Sequence, residues 1–130
     1  MKPSITVVAL GPGAPELLTL AAADRLRNAQ ALIFRTAHHP VAPWLQQQGI
    51  PYKDLDALYD RCEDFDELHA SMARMLWKKA TEVPVTFAVP DPTTDGAVRC
   101  LKQTIPSDGE MQVVAGVTLA DYATLFHRNR

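Results

Sequence analysis

Residues 5–15 of the chain are ITVVALGPGAP. Six nearly continuous apolar residues, several of them β-branched, are followed at once by two glycines and two prolines. A strand buried on both faces of a parallel sheet has this continuous apolarity, whereas a half-exposed strand alternates apolar and polar residues. This stretch therefore predicts a buried parallel strand that ends in a sharp turn at Gly11-Pro12-Gly13.

Similar apolar runs recur along the chain, at residues 31–34, 85–89 and 111–114, and a weaker one, containing Pro51, at residues 50–55. Helices are predicted between them, at about residues 19–28, 41–48, from 64 onward and 97–104, with a last helix beginning near Leu119. Strands that alternate with helices imply right-handed βαβ crossovers. The sequence thus predicts an α/β fold, with a mostly parallel sheet of about five strands and helices on both faces.

The clearest helical pattern begins at Asp64. Asp64 and Glu67 have the spacing of a capping box, with Asp in place of the usual Ser or Thr. Apolar residues then recur three and four positions apart, as on one face of an amphipathic helix. The side chains predicted to face the core are Phe65, Leu68, Met72, Met75 and Leu76.

Length and charge limit the classes of function. A chain of 130 residues fits one domain, residues 1–130, and its formal net charge of −2 comes without any run of Lys or Arg. This argues against nucleic-acid and anionic-membrane partners, which require concentrated basic residues. Neither Cys62 nor Cys100 has a Cys or His at ligand spacing, and residues 5–10 are too short for a signal peptide or a membrane span. We expect a cytoplasmic protein with reduced thiols.

Three segments follow predicted strands and therefore belong at one edge of the sheet, where parallel α/β proteins bind ligands. They are Gly11-Pro12-Gly13, Pro90-Asp91-Pro92 and residues 115–118, AGVT. Small or rigid residues there allow close approach of the backbone to a ligand, although tight turns before helices use the same residues. Asp91 is predicted either to bind a ligand or to form an Asx-turn or helix cap, and Asp95 to cap the helix that follows.

Other binding patterns receive little support. The first turn lacks the G-x-G-x-x-G of dinucleotide sites, and no stretch matches the phosphate-binding G-x-x-x-x-G-K-S/T. His38 and His39 are adjacent, so their side chains diverge, and no further ligand lies at a suitable spacing. We interpret them as part of a polar loop or as substrate contacts, predict no metal site, and expect His69 to be solvated.

The three loop segments, in this order, resemble motifs of the tetrapyrrole (corrin/porphyrin) methylases. Residues 7–20, VVALGPGAPELLTL, resemble the family's opening V-G-x-G-P-G-D/A-P-x-L-L-T-L. Residues 90–96, PDPTTDG, resemble its G-D-P-x-x-x-G loop, and residues 113–118, VVAGVT, its V-x-P-G-V/I-T/S segment. Residues 35–40 and 60–68 look most like the branch of the family fused to a MazG-type nucleotide pyrophosphohydrolase. The resemblance covers essentially the whole chain.

This resemblance implies the N-terminal subdomain of an S-adenosylmethionine-dependent methyltransferase, with the cofactor in a cleft between two domains. Such methyl transfer depends on alignment and a dry pocket more than on a dedicated acid or base, so no catalytic residue is assigned. The residues expected at the cofactor are Pro90, Asp91, Pro92, Gly96 and Thr118. Those expected in the substrate trough are Gly11, Pro12, Gly13, His38 and His39.

The chain departs from the family pattern at three positions. Pro90 and Ala9 replace glycines, and Ala115 replaces a proline. We expect an enzyme fragment that is inactive without its C-terminal methylase subdomain, which would be its main partner beside a MazG-type domain. The alternative is a cofactor- or partner-binding regulatory module that kept the fold and lost methyl transfer. An apolar face left by the absent subdomain also predicts a homodimer. A flavodoxin-like receiver is a third and weaker alternative, because no acidic cluster follows the first strand.

Overall fold

The computed structural model describes residues 2–118, which form a five-stranded sheet in the order β3-β2-β4-β1-β5. Every strand pair in this part of the chain is parallel, which confirms the predicted α/β fold. The two-residue β3 lies at an edge of the sheet, as the proline in that segment predicts. The strands are β1 Ser4–Ala9, β2 Ala31–Phe34, β3 Lys53–Asp54, β4 Val85–Val89 and β5 Glu110–Val114.

Helices connect the strands. A short 3₁₀ turn, Pro15–Leu17, precedes the first of them. One helix, α3, was not predicted, since its six residues bury only Leu58 and therefore leave no apolar periodicity in the sequence. The helix predicted near Leu119 lies outside the described residues. The helices are α1 Leu20–Arg27, α2 Val41–Gln47, α3 Asp56–Arg61, α4 Phe65–Ala80 and α5 Gly96–Gln103.

Two apolar cores lie on opposite faces of the sheet. Helices α3, α4 and α5 cover the face that carries Ile5, Val7 and Phe87, and α1 and α2 cover the face that carries Val8 and Ala88. The central strand β4 is buried along its whole length, and β1 is buried from its second residue. Burial on both faces explains the continuous apolar sequences of these two strands.

Helix α4 confirms part of its predicted pattern. Asp64 accepts a hydrogen bond from the Glu67 backbone N–H at 2.8 Å, but the Glu67 carboxylate accepts from the N–H of Glu63, at 3.2 Å, rather than from that of Asp64. Only half of the capping box is therefore formed.

The predicted core stripe of α4 is wrong at two positions. Leu68, Met72 and Leu76 are buried, whereas Phe65 and Met75 are 70% and 48% exposed. The buried face is turned toward three residues that the stripe omitted, because small and aromatic side chains there pack against the sheet and α5. These are Ala73, Trp77 and Ala80.

None of the helices within residues 2–118 is apolar and long enough to cross a membrane. The longest of those described, α4, has 16 residues, while a span requires about 20.

Candidate functional site

The loops that follow β1, β4 and β5 meet at the carboxyl edge of the sheet. Leu10 N–H donates to the Val89 carbonyl at 2.8 Å, and Gly11 N–H donates to the Pro90 carbonyl at 3.0 Å. From the other side, the Thr19 hydroxyl donates to the Ala115 carbonyl at 3.4 Å. The structure thus brings together the three segments that the sequence placed at one edge.

Two glycines allow this close approach. Gly11 has φ +79°, a left-handed conformation that other residues rarely adopt. Gly116 has no positive φ, but a Cβ there would lie 2.9 Å from the Cβ of Ala9. The glycine at position 116 is therefore required by the side chain opposite, not by backbone conformation.

Two small clefts open between these loops, each of about 80 Å³. Pro90 and Asp91 border both. Pockets for small molecules measure roughly 300–1,000 Å³, so the described residues form one wall of such a site rather than a complete pocket. The first cleft is lined by Gly11, Pro12, His39, Pro90 and Asp91. The second is lined by Ala9, Pro90, Asp91, Pro92, Thr93, Val113, Ala115, Gly116, Val117 and Thr118.

Larger grooves lie elsewhere on the described part of the chain. One of about 490 Å³ lies between α3 and the start of α4, and one of about 400 Å³ lies between β3 and the end of α4. Neither is bordered by the three converging loops. We place the site at the carboxyl edge because the backbone of the three loops and the Asp91 carboxylate meet there. The larger volume of a groove does not by itself indicate a chemical function.

Asp91 forms an Asx-turn, which is one of the two roles predicted for it from the sequence. Its Oδ1 accepts from the Thr93 backbone N–H at 3.0 Å and from the Thr93 hydroxyl at 2.6 Å. The turn uses Oδ1, and Asp91 borders both clefts. The turn therefore fixes the orientation of the carboxylate without using all of its acceptor capacity.

Asp95 caps α5, as predicted. Its Oδ1 accepts from the N–H groups of Ala97 and Val98, at 2.8 and 3.0 Å. The same oxygen pairs with the Arg35 guanidinium at 3.1 Å, and both side chains are largely buried. Sequence spacing gave no indication of this ion pair, since Arg35 follows a different strand.

The prediction that His69 is solvated was wrong. Its Nε2 lies 3.3 Å from Nη2 of Arg35, and its ring is partly buried. The ring also packs against Gly96, where any Cβ would overlap it. Gly96 thus has a structural role, close packing of α5 on α4, that lies beside the loop rather than in either cleft.

His38 and His39 differ in their surroundings. His38 is exposed, as expected for a polar loop, whereas His39 is buried, which that interpretation did not predict. His39 Nε2 donates to the Gly11 carbonyl at 3.2 Å, and Nδ1 accepts from the Val41 N–H at 3.1 Å. This pair of bonds assigns the neutral Nε2–H tautomer. Burial lowers the pKa of His39, although the hydrogen bond to Gly11 opposes that shift.

The remaining predicted positions lie near the site without lining a cleft. Gly13 is next to Pro40, whose Cγ would lie 3.8 Å from a Cβ at that glycine.

Across residues 2–118, no three His, Cys, Asp or Glu side chains are grouped to hold a metal ion.

Comparison with known proteins agrees with the motifs. Residues 4–127 match the model of the Tetrapyrrole (Corrin/Porphyrin) Methylases. Over 90 residues the chain is 31% identical to the uncharacterized protein YabN of Bacillus subtilis, which covers 69% of this chain and 18% of that protein.

Solved structures share the fold. A protein of Corynebacterium diphtheriae described as related to cobalamin synthesis, CobF, is 26% identical with a TM-score of 0.65, and the match covers 96% of this chain and 58% of that one. The cobalt precorrin-4 methyltransferase CbiF, 18% identical with a TM-score of 0.64 over 98% of this chain and 51% of its own, supports the fold alone. The chain therefore spans about half the length of these structures. Together, the match over residues 4–127 and the shared sheet show that this chain belongs to the tetrapyrrole methylase family.

Proposed function

We propose that this chain provides one wall of an S-adenosylmethionine-dependent methyltransferase site, at the carboxyl edge of its sheet. The observation that carries the proposal is the convergence of the three family-motif loops on the paired clefts beside Asp91. A uroporphyrin-III C-methyl transferase from Thermus thermophilus, solved in complex with S-adenyl homocysteine, has this fold, with a TM-score of 0.53 at 24% identity. Family membership supports the same cofactor here.

The chemistry of the edge suits part of such a cofactor. S-adenosylmethionine would supply an activated methyl group together with an ammonium and ribose hydroxyls that need acceptors. Asp91 offers a carboxylate oxygen held in place by Thr93. Since each cleft measures only about 80 Å³, these residues would hold one side of the cofactor and need a second wall. The residues proposed to border it are Pro90, Asp91, Pro92 and Thr118.

Gly96 would act indirectly. Because the His69 ring packs on it, this glycine sets the position of α5 and so of the loop that carries Asp91. The Asp95 cap, held by Arg35, fixes the same end of that loop. We propose that this rigid loop orients the cofactor, since alignment is the main requirement of methyl transfer.

The neighbouring cleft is proposed as the start of the substrate trough. Gly11 and Pro12 form its floor, Gly13 continues the same turn, and the buried ring of His39 supports that floor through the Gly11 carbonyl. His38 is exposed beside it and offers a polar contact to a methyl acceptor. None of these side chains is proposed to transfer a proton in the methyl-transfer step.

We further propose that the 130 residues are one α/β subdomain that turns over only with a C-terminal methylase subdomain. The small size of the clefts supports this. The segments 35–40 and 60–68 support placement in the MazG-fused branch, as does the length of the B. subtilis relative, of which the aligned part is 18%.

Cys62 and Cys100 are free thiols in the structure, which supports a reducing, cytoplasmic location.

The proposal is tested by titrating ¹⁵N-labelled chain with S-adenosylhomocysteine. We expect weak, saturable amide shifts confined to residues 90–96 and 115–118, and a loss of those shifts in Asp91→Asn. Asp108→Asn, in the exposed turn before β5, is the matched control and should bind as the parent does. Shifts scattered over the surface, or none at all, would overturn the cofactor assignment. Micromolar affinity in calorimetry would instead contradict an incomplete cleft.

A regulatory module without methyl transfer is the second candidate, supported by the departures at Ala9, Pro90 and Ala115. Pro90 lacks an N–H and cannot adopt a positive φ, either of which a glycine would offer to a ligand. Under this candidate, Pro90→Gly raises the affinity for S-adenosylhomocysteine in the same titration. Unchanged affinity would leave the candidate without its main support.

A further inference from the structure

The groove between α3 and the start of α4 exposes aromatic rings to solvent. It measures about 490 Å³. Tyr59 is 39% exposed and Phe65 is 70% exposed in it. Exposed apolar side chains that are grouped, rather than scattered singly, mark interaction sites. We call it the aromatic groove, and its lining residues are Tyr59, Cys62, Glu63, Asp64, Phe65 and Leu68.

The ring of Phe65 is held in place although it is exposed. It stacks on the ring of His69, one turn later on α4, with the ring centroids 6.2 Å apart and the planes at 24°. This contact covers one face of the ring and leaves the rest open to solvent. A side chain that is already positioned loses little conformational entropy when a partner covers it.

The aromatic groove lies in an acidic part of the chain. Residues 54–67 contain seven of the 15 acidic residues and only one of the 13 basic residues. Glu63 and Asp64 line the groove itself. No ion pair within residues 2–118 involves this segment. The apolar floor of the groove is therefore bordered by negative charge that the described part of the chain does not neutralise.

Local structure explains only part of this charge. Asp64 caps α4, and the Glu67 carboxylate accepts from the Glu63 N–H. The helix dipole also favours acidic residues in the first turn of α4. Asp60 and Glu63, however, are exposed at the C-terminal end of α3, where the dipole disfavours an acidic side chain. Their charge thus opposes the stability of their own helix.

We infer that the aromatic groove binds an arginine-bearing segment of another protein. A guanidinium stacks on an aromatic face and also donates two parallel hydrogen bonds to a carboxylate. Phe65 and Glu63 offer these two kinds of contact in one groove. A lysine ammonium has no planar face to stack and is more strongly hydrated, so it fits less well. Aromatic residues and Arg are also enriched where proteins meet.

The size of the groove favours a peptide segment over a small cation. One guanidinium would leave much of the 490 Å³ unfilled, while apolar neighbours in a segment would cover Tyr59 and Leu68. The groove does not border the clefts beside Asp91, so docking there is independent of the proposed cofactor site.

Fluorescence anisotropy with a labelled peptide of alternating arginine and leucine, blocked at both ends, tests this docking on the 130-residue chain. The matched probe carries citrulline, which keeps the shape of arginine and removes its charge. We expect saturable binding of the arginine probe that weakens at high salt. The citrulline probe should bind about tenfold more weakly, because it loses both the ion pair and the ring contact.

Two variants locate the binding. Glu63→Gln removes a carboxylate, and Phe65→Leu removes the ring but keeps an apolar side chain. Each should weaken binding of the arginine probe about two- to fivefold and leave the citrulline probe unchanged. The matched controls, Asp108→Asn in the exposed turn before β5 and Leu20→Ala at a 91% exposed position, should bind both probes as the parent does. Circular dichroism checks that all four variants keep the fold.

Several outcomes would overturn the assignment. Equal binding of the two probes would show apolar adhesion without charge recognition. Equal effects of Glu63→Gln and Asp108→Asn would show general attraction to an acidic surface. If blocked single arginine competes as well as the peptide, the groove is a small-cation site. If concentrating the chain alone displaces the probe, a second copy occupies the groove instead.

Discussion

Ala9 and Gly116 pack closely against each other where the loops after β1 and β5 touch. A methyl group at position 116 would lie 2.9 Å from the Cβ of Ala9 and 3.3 Å from its carbonyl oxygen. Real Cβ contacts are longer, so one backbone must move. Because Ala9 ends a buried strand that is paired on both sides, the loop of β5 is the part that yields.

Gly116→Ala is expected to lower the free energy of unfolding by about 1–3 kcal/mol, the usual cost of overpacking. Urea denaturation measures it. In an Ala9→Gly background the opposing methyl is absent, so the same substitution should cost much less. Equal losses in the two backgrounds would show that the Ala9 contact is not the cause.

His39 makes stability depend on pH. Its burial lowers the pKa below the usual 6.5, so the unfolded chain takes up the proton more readily than the folded one. The stabilisation is therefore complete above pH 6.5 and is lost as the pH falls toward the lowered folded-state pKa. We expect unfolding free energies at pH 7.5 and 5.0 to differ less in His39→Gln than in the parent. His38→Gln, at the exposed neighbour, should keep the parental difference.

The N-terminus of α5 combines two interactions on one oxygen atom. Asp95 Oδ1 caps two backbone N–H groups and pairs with Arg35, which itself reaches His69 on α4. A cap alone contributes about 1 kcal/mol. Removing one partner of a largely buried ion pair costs more, because the remaining charge stays desolvated. This junction therefore joins β2, α4 and α5 beside the candidate site.

Asp95→Ala is expected to destabilise the chain by about 2–4 kcal/mol, against about 1 kcal/mol for Asp64→Ala, which removes the exposed cap of α4. Chemical denaturation measures the loss of unfolding free energy in both variants. Asp95→Asn keeps a capping oxygen but loses the charge, and should fall between them. Equal losses for the two Ala variants would mean that the Arg35 pair contributes nothing.

Helices and strands were predicted correctly where the signal lies within the element's own sequence. The prediction failed where packing against a neighbouring element decides which side chains are buried. The strands at 31–34 and 85–89 follow from their apolar runs, and the caps of α4 and α5 follow from Asp64 and Asp95. Phe65 and Met75 satisfied helical periodicity, yet the helix is turned so that Trp77 faces α5, with its Nε1 donating to the Leu101 carbonyl. Which apolar side of a helix is buried depends on that neighbour, which periodicity does not contain.

The candidate site, too, was predictable only in part from the sequence, and here the limit lies at the scale of the whole sheet. That the three loops share an edge follows from parallel strands alone. The sequence does not give the order β3-β2-β4-β1-β5, which places the loops of β4 and β5 on either side of the loop of β1. Nor does it give the contacts between distant segments that shape the edge, such as His39 with Gly11 and His69 with Gly96.

The strand order makes a prediction for hydrogen exchange. Amides of β1 and β4 lie in the middle of the sheet and are buried, so they should exchange only when the whole domain unfolds. Among residues 2–118, the two residues of β3 are exposed and pair with β2 alone. Their protection should reflect local opening, several kcal/mol below the global free energy of unfolding, on the scale of about 5–15 kcal/mol for a domain. Denaturant dependence separates the two cases, because global unfolding exposes far more surface than the fraying of an edge. Amides of β3 as protected as Val7 and Phe87 would require another strand outside β3, and with it a different account of which loops border the site.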